Sequence, residues 1–240
     1  MKVVKLQNAY DISVEVAKII TDQINAKPES VLGFATGSSP VETYKRIIEK
    51  YEKGEVSLKD ITTFNLDEYC GLPQDNVNSY FYFMKDNLFG KTDVDFGKVN
   101  FLSGTSGEIE AECEAYRKAI EEAGGIDIQI LGIGTNGHIG FNEPSDSFTD
   151  GPFRVKLTQS TIDSNIKYFE DGNMPTHALT MGTGDIMRAK KIVLIATGEA
   201  KAEAIFKTVK GEVTPMCPAS VLQNHPDATI FVDEEAAKLL

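Results

Sequence analysis

The chain is short of positive charge: its 240 residues carry 24 Lys and Arg against 36 Asp and Glu, a formal net charge of −12. Binding along a phosphate backbone depends on clustered cations, so a general nucleic-acid binder is excluded. A small phosphorylated ligand is not excluded. A few local cations and backbone amides can hold one phosphate against an unfavourable overall field. Cysteine is scarce as well. Cys70, Cys113 and Cys217 stand far apart, with neither metal-ligand spacing nor the even count of a disulfide scaffold, and they read as reduced thiols. Long hydrophobic runs are missing: none approaches the ~18 apolar residues of a membrane helix. The opening residues, Met1 to Asn8, lack the apolar centre of a signal peptide. A cytoplasmic protein with no membrane partner is the expectation. What the chain does have is 41% hydrophobic residues, enough for a sizeable core.

Short β-branched or aromatic runs recur, each closed by turn residues and most followed by a helical pattern. The pattern predicts strands over 30–35, 61–65, 126–131, 178–181, 192–196 and 229–232, with weaker ones near 3–6 and 99–102. Helices are predicted over 40–53, 108–123, 184–189, 200–209 and 234–240. This alternation favours an α/β fold, a doubly wound and mostly parallel sheet with helices on both faces. Ligands of such sheets sit beyond the carboxyl ends of the strands. Neither a repeat nor a low-complexity linker divides the chain, so one domain spanning 1–240 is expected. The stretch 145–175, rich in Gly, Pro, Ser, Asp and Asn, reads either as a lid or as a surface excursion with a short helix.

The most informative segment is 127–144, an apolar run that ends in a loop with glycines at 132, 134, 137 and 140. Glycines that supply no packing usually mark backbone held close to something else. This loop carries His138 and, five positions on, Glu143. A histidine exchanges a proton near neutral pH, and a nearby carboxylate can orient it. The plainer alternative is a flexible turn with a surface histidine. Thr36-Gly37-Ser38-Ser39-Pro40 follows an apolar strand and opens a helix. Its amides and hydroxyls suit a phosphate, although Ser38 or Ser39 could simply cap the helix. It is neither a Walker loop nor a dinucleotide fingerprint. Asn65-Leu66-Asp67-Glu68-Tyr69 places paired acids at another strand end, where they could bind a metal, take a proton or cap a loop. Met181-Gly182-Thr183-Gly184-Asp185 could add backbone contacts to the same pocket edge. Lys201 opposes the dipole of the helix it begins, which a phosphate partner would explain. His177 and His225 read as structural or surface residues.

Taken together, the segments 35–40, 65–72 and 134–144 resemble those of the glucosamine-6-phosphate deaminase family, in order and spacing over nearly the whole chain. The resemblance implies a doubly wound α/β sandwich and conversion of glucosamine 6-phosphate and water to fructose 6-phosphate and ammonia. It implies a small-molecule sugar-phosphate partner and no metal or organic cofactor. It assigns His138 to ring opening with Glu143 as its orienting carboxylate, and Asp67 to enolisation. Thr36, Gly37, Ser38, Ser39, Gly137 and the cations Lys167 and Lys201 become substrate-binding candidates. Asn136 joins the catalytic set but departs from the aspartate of the best-known members. A neutral amide orients an imidazole without stabilising its charged form, so Glu143 is expected to carry more of that task. Lys167 stands where longer members have an arginine. The shorter carboxyl end argues against importing the hexamer or its allostery, and the sequence leaves the oligomeric state open.

Two other readings compete. The 6-phosphogluconolactonases share the fold and a glycine-histidine loop, but their loop has no carboxylate where Glu143 stands. A non-catalytic sugar-phosphate sensor would ordinarily carry a basic DNA-binding module, which this chain lacks.

Overall fold

The computed structural model describes residues 1–169 and 172–240. In chain order, the first half contains β1 (Lys2–Lys5), α1 (Ala9–Ala26), β2 (Val31–Phe34), α2 (Val41–Glu52), β3 (Thr62–Asn65), β4 (Asp67–Tyr69), α3 (Tyr80–Asn87), β5 (Val99–Asn100) and α4 (Ile109–Glu122). The second half contains β6 (Ile128–Leu131), β7 (Phe153–Lys156), α5 (Gln159–Asn165), β8 (His177–Thr180), α6 (Thr183–Met187), β9 (Lys191–Ala196), α7 (Ala202–Lys210) and β10 (Ala228–Val232). Seven strands form the main sheet in the order β1-β10-β9-β6-β2-β3-β5, and every pairing in it is parallel. The expected doubly wound α/β architecture is present.

Side-chain alternation explains why both faces must be covered. Leu32, Phe34, Ile128, Ile130, Val193, Ile195 and Phe231 join one apolar cluster, together with Ile12, Val16 and Ile20 of α1 and Tyr44 and Ile47 of α2. Their neighbours Val31, Leu131, Ile192, Leu194, Ile230 and Val232 join another, with Tyr116 of α4 and Ile205 of α7. Adjacent strand residues point to opposite faces, so an uninterrupted apolar strand is stable only between two helical layers.

Some predicted elements differ in the structure. Residues 178–181 do not lie in the parallel sheet: β8 is the central strand of a smaller antiparallel sheet, β4-β8-β7. Asp67–Tyr69, expected as loop, pairs with it as β4. The tail 234–240 is a series of turns and not a helix. The Asp233 carboxylate accepts from Gly198 N and Ala236 N, which ties the tail's start to the neighbouring loop. Helices α1 and α3 were not anticipated, although Asn8 and Ser79 cap them by accepting from Asp11 N and Tyr82 N. Within 145–175 the described residues hold β7 and α5, so this stretch carries a strand as well as the short helix.

Candidate active site

The parallel strands β2 and β6 end side by side, and the loops that follow them line a cavity of about 370 Å3. Thr36, Gly37, Ser38 and Ser39 form one wall, leading into α2. The expected serine cap is absent. Pro40 occupies the N-cap position without a side-chain cap bond, and among the described residues no side chain bonds the amides of the first turn of α2, which leaves them and the Ser38 and Ser39 hydroxyls to a ligand. Lys201, the residue preceding α7, lies on the same cavity. Burial holds its ammonium below the ordinary lysine value, a cost that a bound anion would relieve. Lys167 lines the cavity with its Nζ 5.1 Å from the Tyr168 ring centroid.

The paired acids have separate fates because adjacent strand residues face opposite ways. Glu68 is structural: it accepts from Tyr69 N, Tyr80 N and Phe81 N at 2.8, 2.9 and 3.0 Å, tying β4 to the start of α3. Burial raises its carboxyl to about 7 despite these bonds. Asp67 opens into the cavity and is only 6% exposed. Its carboxyl has no hydrogen-bond partner among the described residues. Burial, with the adjacent Glu68 charge, raises it to about 8. A carboxylate so poorly solvated is a strong base.

Across the cavity the glycine loop presents His138. Its ring lies over Gly134, where a Cβ would approach the imidazole to 2.2 Å, so the close fit requires glycine. Asn136 Oδ1 accepts from His138 N at 3.1 Å and lies 2.8 Å from Nδ1. Asn136 Nδ2 donates to Glu143 Oε2 at 2.7 Å, which fixes the direction of the amide. Nδ1 therefore carries a hydrogen, and in the neutral ring the lone pair lies on Nε2. Glu143 stands behind the lining at 3.4 Å from Nδ1. Burial pushes its carboxyl up, but His138, Thr161 and Asn136 prevail and hold it at about 2. Both side chains therefore reach the same ring nitrogen, Asn136 Oδ1 at 2.8 Å and Glu143 Oε2 at 3.4 Å.

Two expectations are corrected. Gly137 does not line the cavity. Its φ of +88° turns the loop, and it packs where a Cβ would come within 2.6 Å of Cys217 Sγ. Gly182 and Gly184 pack against the backbone of 149–151 and add nothing to the pocket edge. His225 is structural, as expected, with Nε2 2.8 Å from Ala189 O. Sequence reasoning missed Tyr80, Phe141, Thr161, Asn165 and Tyr168 on the cavity wall. The Tyr80 and Phe141 rings are stacked with centroids 6.0 Å apart. Only the Ser79 cap could have signalled that Tyr80 begins a helix. Among the described residues no group of three or more His, Cys, Asp and Glu could hold a metal ion, and no helix is long and apolar enough to cross a membrane.

A doubly wound sheet whose carboxyl edge holds a cavity lined by a buried aspartate, a histidine and a lysine has the architecture of an α/β enzyme. Within that class, a family model described as glucosamine-6-phosphate isomerases/6-phosphogluconolactonase matches residues 6–231, and the chain belongs to this family. It is 49% identical over 241 residues to a glucosamine-6-phosphate deaminase of Thermoanaerobacter pseudethanolicus, covering 100% of this chain and 95% of the relative. Its identity to the Clostridium acetobutylicum glucosamine-6-phosphate deaminase is also 49%, with 100% of both chains covered. A solved monomeric glucosamine-6-phosphate deaminase superposes with a TM-score of 0.97 at 41% identity, covering 100% of each chain. The 6-phosphogluconolactonase of Trypanosoma brucei shares the fold at a TM-score of 0.81 and 19% identity, covering 100% of this chain and 98% of its own.

Proposed function

We propose that this chain converts glucosamine 6-phosphate and water to fructose 6-phosphate and ammonia, with Asp67 and His138 as its proton carriers. The observation that carries the assignment of roles is Asp67, a buried carboxyl group without a hydrogen-bond partner among the described residues, on the same cavity as His138, whose Nε2 likewise has no partner among them. A lactone hydrolysis gives such a base no carbon acid to act on. The phosphate sits between the Thr36-Gly37-Ser38-Ser39 loop and Lys201, with Lys167 adding a further point charge. Anchoring the remote phosphate lets binding energy position C2 against Asp67.

The sugar enters as a closed ring. His138 Nε2 takes the proton of the anomeric hydroxyl and returns it to the ring oxygen, so the C1–O bond to the ring breaks and the aldehyde forms. Glu143 stabilises the transient imidazolium through space. Asp67 then removes the C2 proton; the freed electron pair forms the C1–C2 double bond as the carbonyl π pair moves onto O1, which takes a proton from the neighbouring C2 ammonium, giving an enolamine. The same carboxyl returns the proton to C1 and leaves a C2 imine. Water adds at C2 and ammonia departs. The substrate's ammonium, arriving beside Asp67, favours its ionised form. The described residues of 145–175, which bring Lys167 and Tyr168 to the cavity, act as a lid over the bound sugar.

The test offers the purified chain glucosamine 6-phosphate and 6-phosphogluconolactone in separate assays. Turnover of the amino sugar alone is expected. Turnover of the lactone alone would overturn the reading.

A further inference from the structure

The distal oxygen of Glu143 is held from outside the glycine loop. Thr161 Oγ1 donates to Glu143 Oε1 at 2.5 Å, and Thr158 Oγ1 lies 3.3 Å from the same oxygen. The two hydroxyls are 3.0 Å apart. Thr158 is also the N-cap of α5, accepting from Thr161 N at 3.3 Å. The helix continues into the turn that carries Lys167 and Tyr168, and with Asn165 these form part of the cavity wall. One carboxylate therefore joins the proton relay to the wall that would meet the sugar phosphate.

We infer that Thr161, supported by Thr158, is a positioning residue for ring opening, and that it makes the alignment of His138 depend on α5 being seated. The inference rests on the deaminase reading above. The torsion that orients a glutamate carboxylate is broad and intrinsically weakly restrained. Anchoring Oε1 fixes its plane and leaves Oε2 facing Asn136. That contact matters more for an amide than for an aspartate, because an amide has one accepting end and one donating end. If Glu143 turned away, Asn136 Nδ2 would lose its acceptor, leaving the amide direction to the longer bond from His138 N alone, and the amide could reverse. It would then offer a donor to His138 Nδ1, drive the imidazole hydrogen to Nε2, and remove the lone pair that ring opening needs. The coupling is mutual. A change at Glu143 must loosen α5 as surely as a change at α5 disturbs Glu143.

The test uses Thr161→Val, which keeps shape without the hydroxyl, beside Thr161→Ser, which keeps the hydroxyl. Thr161→Val is expected to lower kcat/KM for glucosamine 6-phosphate about 10-fold, with inhibition by inorganic phosphate changed less than about 2-fold. As ring opening slows, the isotope effect from deuterium at C2 should shrink toward unity, while Thr161→Ser stays within about 2-fold of the parent on every count. Full activity in the valine variant, an undiminished isotope effect, or a serine variant as impaired as valine overturns the inference. A second arm needs no turnover: Glu143→Ala should speed amide exchange across α5 by about 5-fold or more. Unchanged exchange overturns the coupling. Absence of ammonia release by the parent protein would overturn the deaminase reading, and the exchange arm would still decide the coupling.

Discussion

Replacing Asp67 by Asn should make the protein less active and more stable, and the two effects come from the same burial. Burial, with help from Glu68, raises the Asp67 carboxyl from 3.8 to about 8. Between those values the folded state holds a proton that the unfolded chain has released. Stability therefore falls as pH rises from about 4 toward 8 and levels off above it. At pH 7 the difference spans about three pH units, on the order of 4 kcal/mol at 1.36 kcal/mol per unit. Local relaxation and water in the cavity reduce this, leaving an expected pH-dependent gain of about 2 kcal/mol for the asparagine variant. That gain corresponds to a Tm higher by about 4–8 °C at pH 8, with little difference at pH 4. Asparagine has nearly the shape of the protonated acid, so packing is conserved. The assay is thermal unfolding of both proteins at pH 4, 6 and 8, paired with turnover of glucosamine 6-phosphate. Loss of a general base should lower turnover by about 100-fold or more. A stability difference that stays flat with pH, or a variant that is less stable at pH 8, would refute the reasoning.

Lys201→Ala should raise KM about 10- to 100-fold while kcat stays within about 5-fold, as expected for loss of a charge-assisted contact to a remote phosphate; steady-state kinetics check it. Asn136→Asp places a second carboxylate 2.7 Å from Glu143 Oε2, so the pair must share a proton. The pH–rate profile should then shift upward, by about one unit. Gly140→Ala forces a side chain onto a residue with φ of +56°, with the new Cβ 2.9 Å from Thr180 Oγ1. A loss of about 1–3 kcal/mol by denaturant unfolding is expected, with reduced activity because the same Cβ lies 3.6 Å from Asp67 Oδ2.

The residues differ in how much they disclose before folding. β2, β3, β6, β9 and β10 were legible because each is a run of apolar or β-branched residues bounded by turn residues, and the clusters on either side of the sheet account for that pattern. The expected place of β8 was wrong because an apolar run records burial and not its partner strand: Ala178 and Leu179 are as buried in the small sheet as they would be in the large one. The 18-residue α1 was legible in principle through Asn8 and the spacing of Ile12, Val16, Ile20 and Ile24. At the site, His138, Glu143 and Asp67 stand in recognisable motifs, and the fold brings the glycine loop and the start of β4 together. Thr158 and Thr161 gave no signal. They meet Glu143 only because β7 and α5 return the chain to the glycine loop, a contact across 15 and 18 residues that local pattern does not encode. Gly137 shows the opposite error: its place inside a motif suggested a ligand contact, and its actual neighbour is Cys217.

The most direct measurement follows ammonia and fructose 6-phosphate together as the purified protein acts on glucosamine 6-phosphate with EDTA present. Both products should appear at equal initial rates. Fructose 6-phosphate without ammonia, ammonia without the ketose, or release of neither would contradict the deaminase reading.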